Sequence, residues 1–113
     1  MERQIKALDR RLLNASIEIH RLAEVADQVE RHPGDKKLSE ELFSRRVRLE
    51  LLMKALRDLP ESELEMLYRH YEAGQSFRQI EFKEEFRLTF KTYQLKNRTI
   101  LKKMIQSYGS CLL

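Results

Sequence analysis

Apolar residues stand at Ile5, Leu8, Leu12, Ala15, Ile19, Leu22, Ala26 and Val29, an unbroken alternation of three- and four-residue steps. A strand would need steps of two, whereas steps averaging about 3.5 hold one stripe along one side of an α-helix. The spacing predicts a continuous first helix of roughly 30 residues. It should end near Arg31, because the residue before a proline is pushed out of the helical region and His32-Pro33-Gly34-Asp35 is dense in turn formers. Beyond that turn, Leu38, Leu42, Arg45, Leu49, Leu52, Leu56 and Leu59 repeat the spacing, with Asp35 placed to cap a second helix. Leu13, Ile17, Val25, Val47 and Leu51 widen both stripes beyond a single seam. Residues 1–58 are therefore expected to form a helical hairpin or coiled-coil arm. Leu12, Ile19, Leu49 and Leu52 should share one buried seam through which two copies join as a homodimer. Arg45 interrupts that seam, either as a polar residue that fixes register or as an arginine whose head snorkels past it to water.

The remainder of the chain reads as shorter helices. Of 113 residues only three are Gly and two Pro, so turn formers are scarce and an all-α fold is expected throughout. Pro60 suits a first helical position, Glu61 and Glu63 complement the positive end of the helix dipole, and Leu64, Leu67, Tyr68 and Tyr71 form an inward stripe. Ala73-Gly74-Gln75 closes that helix, and Ser76 with Gln79 makes a capping box for the next, whose Phe77, Ile80 and Phe86 face inward. Thr89 caps a last helix that runs to about Ser107 before Gly109 stops it. Tyr93, Asn97, Ile100 and Met104, with Leu101 and Ile105 beside them, lie on its packing side. Lys91, Leu95, Arg98 and Lys102, flanked by Gln94, lie on the other.

Charge singles out this last helix. The formal net charge is only +4, yet residues 60–85 hold seven acidic and three basic side chains, while residues 86–113 hold six basic and no acidic ones. Residues 1–59, with 13 basic and 11 acidic, are nearly balanced. An ordinary solvated helix mixes both signs, so a helix end without acids marks a surface for an anionic partner. A helix fits the major groove of DNA, its cations neutralise phosphates, and short polar side chains on it can reach base edges. Three short helices ending in a basic one meet the requirements of a helix-turn-helix.

The run from Leu59-Pro60-Glu61 to Leu67, then Tyr71-Glu72-Ala73-Gly74-Gln75-Ser76-Phe77-Arg78-Gln79-Ile80, resembles the C-terminal DNA-binding domain, region 4, of bacterial sigma factors. Leu88 to Tyr93 and onward to Met104 is similar to that family's recognition helix, so the resemblance spans residues 59–105. With a long helical arm in front, the chain looks most like small late-gene transcription regulators of phages and prophages of Gram-positive bacteria. The resemblance implies a helix-turn-helix over residues 59–108, a tail at 109–113, and double-stranded DNA as partner. It places Lys91, Thr92, Gln94, Leu95 and Lys96 near the DNA, with Arg98 and Lys102 nearer phosphates. The chain departs from the family in the glycine-free turn between Ile80 and Leu88 and in Asn97, which stands where an apolar residue is expected. Two other readings stand beside it: a phage terminase small subunit, which similarly joins a helix-turn-helix to helical oligomerisation elements, and a helical adaptor that uses both helical regions to contact protein, for example RNA polymerase.

Enzymatic chemistry has no visible seat in this sequence. His20, His32 and His70 are far apart, without a metal-ligand spacing, and the glycines Gly34, Gly74 and Gly109 form no phosphate-cradling loop. Neither cofactor nor metal is expected. Cys111 is the sole cysteine, so no intrachain disulfide forms and a reducing cytoplasm is the expected compartment. The start, MERQIKALDRR, is charged where a signal peptide needs an apolar run, and no stretch has the roughly 20 apolar residues of a membrane helix.

Overall fold

A computed structural model describes residues 1–72 and 90–113, without the side chains of residues 69, 72 and 90–94. The described residues are helical and contain no strand, so the fold is all-α as expected. The elements are α1 (Glu2–Leu13), α2 (Ala15–Arg31), α3 (Lys36–Arg57), α4 (Glu61–Leu67), which widens into a π turn (Tyr68–Glu72), and α5 (Phe90–Tyr108), closed by a 3-10 turn (Gly109–Leu112).

The expected punctuation holds at two places. Asp35 caps α3 by accepting the Leu38 N–H on its Oδ1 at 3.2 Å. Gly109, with φ of +65°, ends α5 in the left-handed region that a side chain would oppose. Pro60, expected as the first helical residue, is instead the cap of α4. The segment from Ala73 to Thr89, which includes the Ser76–Gln79 capping box and the Thr89 cap, lies outside the described residues.

The continuous first helix is corrected to two helices broken at Asn14, whose ψ of 15° leaves the helical well. The Asn14 side-chain Nδ2 donates to the Arg10 carbonyl at 2.9 Å, and its backbone N–H is shared between the carbonyls of Arg10 and Arg11. A short amide that competes in this way for helical carbonyls favours helix ends. The break has a tertiary reason as well: it lets the two halves of one apolar stripe face different partners. α2 pairs with α3 as a hairpin, whereas α1 packs across α5 and the π turn.

One core results, drawn from nearly the whole chain. Ile5, Leu8 and Leu12 of α1 meet Leu52 and Ala55 of α3, Leu59, Met66 and Leu67 around α4, and Ile100, Leu101, Met104 and Ile105 of α5. The boundary expected at 58/59 therefore runs through shared packing, and α1 belongs with the C-terminal helices. The last residues, expected as a tail, also join this core, because Leu112 is fully buried in it while Cys111 stays exposed. Tyr68, expected to face inward, is 55% exposed, and Met66 at 1% takes the buried place. The widening of the helix into a π turn at Tyr68 rotates the positions after Leu67 relative to an α-helical stripe.

Arg11 fastens four parts of the chain at one point. Its guanidinium donates to Glu18 on α2 at 2.7 and 3.1 Å, to the Arg48 carbonyl on α3 at 3.0 Å and to the Leu112 carbonyl at 2.5 Å. Its side chain is 8% exposed, so a buried cation here is stabilised by an acid and two carbonyls. Arg48 adds a bond from its Nη2 to the Leu113 carbonyl at 3.0 Å, which fastens the C-terminus to α3.

Candidate nucleic-acid interface

α5 has two sides. Ile100, Leu101, Met104 and Ile105 are buried, as their spacing predicts, and anchor the helix on α1 and α3. Opposite them Leu95, Lys96, Thr99, Lys102, Lys103 and Gln106 are exposed. Leu95, at 55% exposure, is a large apolar side chain held out to solvent beside cations. The candidate residues Leu95, Lys96, Arg98 and Lys102 thus lie on the outward side or at its margin. Lys91, Thr92 and Gln94 belong to the first turns of the same helix, but their side chains lie outside the described ones.

Two acids from other elements grip the margins of this face. Arg98 donates from Nη1 to Glu2 Oε1 at 2.6 Å, joining the start of α1 to one edge of α5. Lys103 donates to both oxygens of Glu63 on α4, at 2.7 and 2.9 Å, on the other edge. The Arg98 bond and charge hold the Glu2 carboxyl below its ordinary range, and Glu2 in turn raises Arg98. Among the described residues no ion pair involves Lys96 or Lys102, so these two cations of the face keep their charge uncompensated. Sequence spacing could not reveal the Glu2 contact, since the partners lie 96 residues apart.

Asn97, the departure from the apolar pattern, has a structural partner. Its Nδ2 donates to the Tyr71 hydroxyl at 3.3 Å, and that hydroxyl donates to Asp9 Oδ1 on α1 at 2.5 Å. The three side chains join α5, the π turn and α1 under the basic face. His70 stacks edge-on against Tyr71, with ring centres 4.6 Å apart. Burial lowers the His70 pKa from its usual 6.5, and the nearby Asp9 charge opposes that shift.

No family model, curated protein or solved structure matches this chain. Among the described residues no three His, Cys, Asp or Glu side chains could hold a metal ion. No helix among them is long and apolar enough to cross a membrane.

The four seam residues separate. Leu12 and Leu52 are 6% and 2% exposed and pack inside the chain, whereas Ile19 is 51% exposed and Leu49 is half-buried. A break at Asn14 turns Leu12 toward the core while α2 carries Ile19 away from it. All four nevertheless line one apolar groove of about 490 Å3 between the hairpin and α4. Arg45, the polar seam member, pairs with Glu41 one turn earlier at 3.0 Å, so its head leaves the seam toward the edge of the hairpin.

Proposed function

We propose that the protein binds double-stranded DNA through the outward face of α5 and regulates transcription as a homodimer. The observation that supports this reading is the outward side of an acid-free helix, on which Lys96, Lys102, Thr99 and Leu95 stand exposed while four large apolar residues bury the opposite side. Cations on that side suit phosphates, and Thr, Gln and Leu suit base edges and thymine methyl groups. The half-buried Tyr71–Asn97–Asp9 contacts and the two marginal ion pairs hold the helix in place. A face that reads DNA needs such a rigid mount. The sequence resemblance of residues 59–105 to sigma region 4 points the same way.

The test is titration of duplex DNA by fluorescence anisotropy at several salt concentrations. Replacing Lys91, Arg98 and Lys102 by Ala should weaken binding to every duplex and reduce the slope of log affinity against log salt by about one per residue. Gln94→Ala should lower sequence preference by about 1 to 3 kcal/mol more than it lowers nonspecific affinity. Unchanged affinity in the triple variant would remove α5 as the binding surface.

A further inference from the structure

We infer that the groove between the α2–α3 hairpin and α4 is where a second copy of this chain docks, α3 against α3, which deepens the homodimer of the proposed function. The groove is built from Ala15 and Ile19 of α2, Leu49, Met53 and Leu56 of α3, and Leu64 of α4 continuing to Tyr68, with Leu12 of α1 also lining it. Its rim carries three of the exposed large apolar side chains, Ile19 at 51%, Met53 at 48% and Tyr68 at 55%. Below it the hairpin has little core of its own, since Val25 is the only fully buried residue of α2. With only Leu52 and Ala55 fully buried on α3, the two helices leave an apolar face that a like face can cover.

Charge selects the occupant. The two charged residues lining the groove are both acids, Glu61 and Glu65, four residues apart on α4. On α3 the residue that precedes Leu49 by three and Met53 by seven is Arg46, so helical spacing sets it on the same side as both. Arg46 is exposed and takes part in no ion pair among the described residues. A two-fold antiparallel pairing centred between Leu49 and Met53 brings Arg46 of each α3 level with Leu56 of the other, beside its acidic wall. The same patch then supplies the apolar knob, the groove, the cation and the acids, which is the self-complementarity that a two-fold interface requires. The outward stripe of Phe43 and Val47 lies elsewhere on α3 and stays uncovered in this dimer.

Sedimentation equilibrium of the full chain decides the matter. The wild type should be dimeric below about 100 μM, and Leu49→Asp with Met53→Asp should be monomeric with unchanged helical circular dichroism. Arg46→Glu and Glu61→Arg should each weaken the dimer about fivefold, and the two together in one chain should bring it back, because each cation again faces an acid. These two positions are exposed, so their test survives even if the apolar double variant fails to fold. A wild type that is monomeric at 100 μM overturns the docking site, and so does a dimer insensitive to Leu49 and Met53 or a charge swap that fails to restore. Duplex binding by the monomeric variant, measured in parallel, separates failure of this interface from failure of the DNA reading. Retained binding to single half-sites leaves the DNA reading intact.

Discussion

His70 is the residue whose chemistry the fold perturbs most usefully. Its folded pKa lies below the usual 6.5 because burial disfavours the imidazolium, with Asp9 pulling the other way. Between the folded and unfolded values the unfolded chain binds more protons, so stability rises with pH there. The contribution is complete above pH 6.5 and is lost as the pH falls through the lowered folded value. Urea unfolding should therefore show a loss of stability from pH 7 to 5 that flattens in His70→Gln. An identical pH slope in the two proteins would assign the loss to the carboxylates. Arg11 and Asn97 illustrate the same principle in another way. Each is polar at a place of burial, and each is explained by partners that lie far off in sequence.

Among the elements, α1 has the largest unforeseen part. Its apolar stripe predicts pairing along α3, yet it underlies α5 and contributes the acid that neutralises Arg98. If α5 meets phosphates, Glu2 competes with them for that cation. Glu2→Gln should then raise affinity for duplex DNA about two- to fivefold at low salt, in keeping with the small energy of an exposed pair. The gain should vanish in the Arg98→Ala background and shrink as salt rises. A gain that persists without Arg98 would trace the effect to net charge instead.

At the level of the whole molecule, the shared core sets cooperativity. Leu8 is fully buried among residues of α3, α4 and α5, so α1 is expected to unfold together with the C-terminal helices. Leu8→Ala should destabilise the protein by about 2 to 5 kcal/mol through the lost transfer energy and the cavity left behind. Far-UV circular dichroism and tyrosine fluorescence should shift together in denaturant, as they do for one cooperative unit. A helical arm that persists after the tyrosines have lost their packing would show two units after all.

The sequence alone determined what depends on near neighbours: the all-helical class, the turn at His32–Asp35, the Asp35 cap, the Gly109 stop and the split of α5 into a buried and a basic side. Each follows from spacing or backbone chemistry within a few residues, where the chain has almost no choice. The tertiary structure decided which partner each apolar stripe would meet. Periodicity shows that Leu12 and Ile19 need cover, but a stripe at this spacing fits any complementary helix, and only packing sends the first to the core and leaves the second on a groove. The same holds for Glu2 on Arg98, Tyr71 on Asn97 and Leu112 in the core. These contacts join positions 26 to more than 90 residues apart, and nothing local to either partner encodes the distance between them.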